Sequence, residues 1–310
     1  MGNYVILCMI TIPPYLKKGD TIGIVCPSGF MPAENAHTCI KTLESCGFKV
    51  RVGSTLGSQS NYFSGSDKQR TQDLQKMLND GGIKAILCGR GGYGLYRIID
   101  KLDFQKFKRS PKWIIGFSDI TVLQAHIFQH YQIATLHAPM AAAFNDDGYK
   151  NQYIASLKNA MSGAVANYGC AAHALNKIGS GEGELIGGNL SLIAHLVGTH
   201  SSYKTRHKIL FLEDVGEYLY NIDRLFIQLK RAGMLNNLAA LVIGGFTDNK
   251  DTERPIGKTA YELIREQLLN YSYPICFNFP VSHAVENYAL KIGGAYQLNI
   301  TTKKVSLGET

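Results

Sequence analysis

The chain has 310 residues, 45% hydrophobic and 18% charged, which is enough apolar sequence for two cores and too much for a disordered segment. Its formal charge is +8, from 32 Lys+Arg against 24 Asp+Glu. The basic residues are scattered, as at Lys106, Lys108, Arg109 and Lys112, with no dense stripe interleaved with aromatics, so no nucleic-acid partner is expected and a carboxylate-bearing ligand suits the charge equally well.

The cysteines Cys8, Cys26, Cys39, Cys46, Cys88, Cys170 and Cys276 form no CxxC pair. Their odd number and irregular spacing argue against a disulfide framework or zinc ribbon, and for a reducing compartment. Residues 1–12 are apolar but carry no basic start and run straight into Pro13-Pro14. That stretch is too short for a membrane span and poor as a signal peptide. A lipoprotein-like reading of Val5-Ile6-Leu7-Cys8 lacks its charged start, and Met9 is an alternative first residue. The expectation is a cytoplasmic chain with no membrane partner.

The first half alternates strands with helices. Residues 21–26 are a short apolar strand running into Pro27-Ser28-Gly29, and residues 35–46 have helical spacing with Gly47 as the stop. A strand at 48–52 follows. Residues 66–79 read as a helix capped by Ser66, with Leu74, Met77 and Leu78 on one face. Then come a strand at 84–88, a glycine loop at 89–94, a helix at 95–102, a strand at 113–117 and an amphipathic helix at 119–130. Such alternation predicts a parallel sheet covered on both faces.

Between residues 140 and 180 the pattern loosens, with one weak helix near 153–161. A second pattern starts at Gly183, with helices at 189–197, 221–232 and 258–269, strands at 208–212 and 239–243, and short strands to the end. The expected organisation is an N-terminal domain over 1–140, a connection over 141–182 and a C-terminal domain over 183–310.

Gly89-Arg90-Gly91-Gly92-Tyr93-Gly94 spells G-x-G-x-x-G after a strand, the surface form of a dinucleotide fingerprint. Its context is poor. The motif is not in the opening strand–helix unit, and Arg109-Ser110-Pro111 stands where an acidic ribose ligand is expected. The alternatives are a tight turn needing positive φ, or backbone N–H groups serving a developing oxyanion.

Gly116-Phe117-Ser118-Asp119 joins a strand directly to a helix. A nucleophilic serine needs such a turn, where the next N–H and the helix dipole meet developing charge. The glycine two residues before Ser118 fits a nucleophile elbow, but Ile120 stands where its second glycine belongs. Ser118 or Asp119 serves equally well as a helix cap. A serine nucleophile also needs a base and a carboxylate to orient it. His137 and His283 lie beside short strands, while Glu213, Asp214 and Glu217 lie at or beyond the end of another. His126 and His130, at i and i+4, have the spacing of metal ligands but no third ligand nearby, so a surface pair is expected. Spacing alone selects none of these partners.

Several segments in order resemble the LD-carboxypeptidases of serine peptidase family S66, which include murein tetrapeptide carboxypeptidases and microcin C self-immunity hydrolases. They are residues 14–22, Pro27-Ser28-Gly29, Arg90-Gly91-Gly92-Tyr93-Gly94, Gly116-Phe117-Ser118-Asp119, Gly187-Gly188-Asn189-Leu190-Ser191, Leu212-Glu213-Asp214 and Asp223-Arg224. The resemblance implies an α/β fold with a flavodoxin-like N-terminal parallel-sheet domain and a smaller barrel-like α/β C-terminal domain, the site lying in the groove between them. It implies Ser118 as nucleophile, His283 as base and Glu213 as its orienting carboxylate, with backbone N–H groups of Gly91, Gly92 and Asp119 as oxyanion donors.

No cofactor or metal is implied. The implied substrate is a murein tetrapeptide losing its terminal D-Ala during cell-wall recycling, and the implied assembly is a homodimer. The alternative is a microcin-type hydrolase acting on a peptidyl nucleotide, but such enzymes carry a longer aromatic-bearing specificity loop, and the sole tryptophan here is Trp113. The chain departs from the family pattern at Ser282, where glycine is frequent, at Lys291, where proline is common, and at Gly245, where aspartate is frequent. The first two are expected to reshape the groove near His283.

Overall fold

The computed structural model describes residues 10–145 and 151–310. The expectations for Cys8, Met9 and the rest of the N-terminal apolar stretch to that point lie outside the described residues. The first sheet has six strands. In chain order they are β1 (Thr21–Val25), β2 (Lys49–Val52), β3 (Ile83–Cys88), β4 (Trp113–Gly116), β5 (Thr135–His137) and β11 (Leu290–Ile292), arranged β11-β5-β4-β3-β1-β2. All neighbours are parallel except β11, which runs antiparallel to β5. Parallel strands covered on both faces must be apolar on both, and β4 is buried along its whole length. Its alternate residues feed separate cores: Ile114 joins one buried cluster, Trp113 and Ile115 the other.

Helices α1 (His37–Ser45), α2 (Asp67–Asn79), α3 (Gln105–Arg109) and α4 (Thr121–Tyr131) connect these strands. Ser66 caps α2 through a reciprocal bond pair with Gln69, as its sequence predicts. The helix expected at 95–102 is instead two 3-10 turns, Leu95–Arg97 and Ile99–Lys101. The reason is local: Ile98, at φ −125°, breaks helical geometry after the first turn.

After α5 (Gln152–Ser162) the chain enters a second, seven-stranded sheet. Its strands are β6 (Asn167–Ala171), β7 (Gly179–Asn189), β8 (Ile209–Val215), β9 (Ala240–Thr247), β10 (Ile275–Cys276), β12 (Ala295–Ile300) and β13 (Lys304–Glu309), with order β10-β9-β8-β7-β12-β13-β6. Helices α6 (Leu190–Leu196), α7 (Leu219–Arg231) and α8 (Ala260–Leu268) lie between its parallel strands. The two edges curl toward one another. Lys177, just after β6, bridges Ile275 of β10. This near-closure is the barrel-like character expected of the C-terminal half. The six described cysteines are all free.

Two features tie the halves together. One buried cluster runs from Ile114, Leu123 and Ile127 to Ile186, Ile193 and Leu210 without a break. Strand β11 carries C-terminal sequence back onto the first sheet, pairing Leu290 with His137.

Candidate active site

The turn after β4 is set by backbone conformation. Phe117 is extended, Ser118 has φ +63°, and a 3-10 turn over Ser118–Ile120 leads into α4. A non-glycine residue in the left-handed region costs about 1–3 kcal/mol and persists only when its surroundings hold it. They do. Gln124 Nε2 donates to the Gly116 carbonyl at 2.9 Å and the Leu136 carbonyl at 2.8 Å, and a Cβ on Gly116 would stand 2.9 Å from Ile120. Neither Ser118 nor Asp119 caps a helix: the cap positions are Phe117 and Ile120, with no side-chain cap bond at either. The hydroxyl is therefore not consumed by the helix it precedes.

The glycine loop after β3 lies directly against this turn. A Cβ on Gly91 would sit 2.8 Å from Ser118 Cβ and 3.0 Å from its Oγ, so only glycine fits. Gly92 takes φ +99°, and the Gly91 carbonyl accepts from Gly29 N–H at 3.0 Å. Because only 3-10 turns follow, the loop opens no α-helix to cradle a pyrophosphate. Asp119 is buried, and that burial pushes its carboxyl above the ordinary range despite hydrogen bonds from Ser28 and Leu95.

Glu213 and His283 come together on the facing edge of the second sheet. Strands β8 and β9 change register between Leu212 and Asp214, so Gly244 and Gly245 face the single residue Glu213. A bulge of this kind re-aims the side chain beside it. Glu213 is fully buried and its Oε2 lies 2.6 Å from His283 Nδ1, fixing the ring's orientation. The His283 ring packs edge-on to Phe117 at 4.8 Å, next in sequence to Ser118. Its Nε2 is buried and has no hydrogen-bond partner among the described residues.

Burial alone would lower the imidazole pKa. The Glu213 charge and hydrogen bond, helped by Asp214 and Asp248, outweigh it and leave the pKa raised. Of the three candidate acids only Glu213 reaches the ring. Asp214 accepts from Asn189, Ser191 and the Val215 N–H, and Glu217 accepts from Ser191 and Asn221.

The departures at Gly245 and Ser282 form one contact. A Cβ on Gly245 would meet Ser282 Cβ at 2.5 Å, while Ser282 Oγ donates to the Glu286 carbonyl at 2.9 Å and accepts from Ala284 N–H at 3.0 Å. The serine closes the turn that carries His283. Lys291 is turned elsewhere, its ammonium donating to Tyr15 Oη at 3.1 Å and to Glu309 at 3.0 Å. It does not line the cavity of about 340 Å³ beside His283, whose walls include Phe117, Pro139, Ala142, Tyr153, Val285 and Asn287.

His137 is fully buried between Phe117 and Phe211 and pushed down to about 4 by that burial, so it is a neutral core residue beside the site. His126 is half-buried, packs tilted against the His130 ring at 4.3 Å and lies 2.9 Å from Ser201 Oγ. No group of three metal-ligating side chains occurs among the described residues. Sequence reasoning missed Arg70 and the side chain of Ser28, both buried against the glycine loop. Ser28 lies in the Pro27-Ser28-Gly29 segment; Arg70 carries no signal in its neighbouring sequence.

The fold defines the class, a mixed α/β protein of two sheets. Family models for the LD-carboxypeptidase N-terminal and C-terminal domains match residues 22–138 and 182–298. The chain belongs to the LD-carboxypeptidase family, and it is a hydrolase of carboxypeptidase type. It is 33% identical over 296 residues to the probable murein peptide carboxypeptidase of Bacillus subtilis (strain 168), covering 94% of this chain and 92% of the relative. The crystal structure of muramoyltetrapeptide carboxypeptidase from Oxalobacter formigenes superposes with a TM-score of 0.85 at 26% identity, covering 93% of this chain and 98% of that one. The microcin C7 self-immunity protein MccF of Escherichia coli is 25% identical over 95% of this chain and 94% of its own.

Proposed function

We propose that this protein is a serine-type LD-carboxypeptidase that removes the terminal D-Ala from murein tetrapeptides through an acyl-enzyme on Ser118. The observation that carries the reading is the buried Glu213–His283 pair at 2.6 Å, packed through Phe117 onto the serine turn. Ser118 Oγ attacks the scissile carbonyl and His283 Nε2 takes its proton. Glu213 holds the ring in the tautomer this requires and stabilises the imidazolium. The N–H groups of Gly91, Gly92 and Asp119 meet the oxyanion. His283 then protonates the departing D-Ala amine, and a water molecule, activated by the same imidazole, releases the shortened peptide.

The murein reading is favoured over the peptidyl-nucleotide one by two observations. The named carboxypeptidase relative is more similar than the microcin relative. Trp113 is buried, with its indole N–H on the Pro14 carbonyl at 3.1 Å, so it offers no stacking surface. No described helix is long and apolar enough to cross a membrane, and a cytoplasmic recycling role and a homodimer go with the same proposal. The test is D-Ala release from murein tetrapeptide by wild type and Ser118→Ala. Loss of about 10⁴-fold or more is expected; undiminished release by the variant would remove the serine mechanism. Cleavage of a peptidyl nucleotide in preference to the tetrapeptide would favour the microcin-type alternative.

A further inference from the structure

Three loops meet at Ser118, following β1, β3 and β4, and one side-chain oxygen joins all three. Asp119 Oδ2 accepts from Ser28 Oγ at 2.6 Å, on the loop after β1, and from Leu95 N–H at 2.9 Å, at the end of the glycine loop after β3. Asp119 itself belongs to the turn after β4. Behind this knot lies Arg70, fully buried on α2. Its Nη1 donates to the Pro27 carbonyl at 2.6 Å and the Gly94 carbonyl at 3.0 Å, and its Nη2 reaches Asp67 at 2.6 Å. Gly94 has to be glycine, since a Cβ there would lie 2.5 Å from Arg70 Nη1.

We infer that the Asp119 carboxylate, backed by Arg70, is a positioning device that sets the gap between the Gly91-Gly92 N–H groups and Ser118. This inference rests on the acyl-transfer reading above and adds to it a role for two side chains that reading leaves unused. The loop needs such a device. Gly91 already stands at the limit of approach to Ser118, and the loop has no helix behind it to hold its register. Oxyanion donors act only when fixed before charge develops, and an error of about 1 Å in their placement costs about 10²-fold in rate. A buried carboxylate accepting two hydrogen bonds is costly to desolvate, and burial does push Asp119 upward. A fold that needed only a spacer would put an apolar residue there.

The test compares wild type, Asp119→Ala, Asp119→Asn and Ser28→Ala for kcat and KM of D-Ala release, for labelling rate by a serine-directed phosphonate ester, and for melting temperature. Asp119→Ala is expected to lose about 10²-fold in kcat and in labelling with KM within about threefold of wild type. Asp119→Asn, whose amide oxygen still accepts from Ser28 and Leu95, recovers at least about tenfold of that loss. Ser28→Ala, which removes one of the two bonds, loses about threefold to tenfold.

A folded Asp119→Ala with kcat within twofold of wild type overturns the inference, as does an asparagine variant no better than alanine. Should Asp119→Ala fail to fold, Ser28→Ala at wild-type kcat overturns it instead. A wild type that neither releases D-Ala nor takes the label overturns the hydrolase reading and this one together, whereas an active wild type with an equally active Asp119→Ala removes this one alone.

Discussion

The two sides of the site are built by different means. On the first sheet the parts are backbone: Ser118 at φ +63°, Gly92 at φ +99° and a glycine loop brought to contact distance. Polar side chains pin them from behind. On the second sheet the parts are charge: a fully buried carboxylate holding an imidazole whose pKa it raises. On the proposed mechanism, the nucleophile side is sensitive to shape and the base side to electrostatics. Single substitutions on the two sides should therefore fail in distinguishable ways.

Apart from loss of the Ser118 hydroxyl itself, the largest effects belong to the charge side. His283→Ala should reduce kcat/KM for D-Ala release by about 10⁴-fold or more, and Glu213→Gln by about 10³–10⁴-fold. The second variant is the sharper test because its pH profile also moves. A base must be neutral to accept a proton, so activity is lost as pH falls through the His283 pKa. That value is raised, and the acid limb of wild-type kcat/KM should bend above the ordinary histidine value of about 6.5. In Glu213→Gln the raising charge is gone and burial dominates, so the residual activity should bend at lower pH. An unshifted limb would mean that Glu213 does not control the ring.

The shape side gives a smaller effect with no pH signature. Gly91→Ala places a Cβ 2.8 Å from Ser118 Cβ, and the loop must retreat. A loss of about 10²-fold in kcat is expected, with the acid limb unchanged and the far-ultraviolet circular dichroism of wild type. A moved acid limb would blur the division between the two sides.

The same division explains what was legible in the sequence. The Ser118 turn follows from local order, strand then glycine then helix, and so does the Ser66 cap; both are decided within a few residues. The choice of Glu213 over Asp214 and Glu217 is not local. It is made by a register shift against Gly244 and Gly245 on another strand, which no spacing along β8 records. Arg70 acts across long sequence separations on Pro27 and Gly94, so nothing near it in sequence marks it. The helix expected at 95–102 failed because Ile98, at φ −125°, leaves helical geometry. β6 was hidden because an edge strand, exposed at alternate residues, needs little apolar sequence. The resemblance to a family named Glu213 and His283 together, and the structure brings that pair to 2.6 Å.

The smallest expected effect comes from the departures at Gly245 and Ser282, where each side's logic meets the other. Ser282 occupies the space a Cβ on Gly245 would need, at 2.5 Å, and its hydroxyl closes the turn bearing His283. Restoring the family's frequent residue at one position alone, Gly245→Asp, should therefore overpack the contact, cost about 1–3 kcal/mol of stability and displace His283. Activity should fall by about tenfold, since the base loses its placement while keeping its charge partner. Adding Ser282→Gly opens the space and should return most of both losses, giving a coupling of about 1–2 kcal/mol in a double-mutant cycle followed by thermal melting. Additive losses in the double variant would show that the two positions vary independently and that the His283 turn is held by something other than this contact.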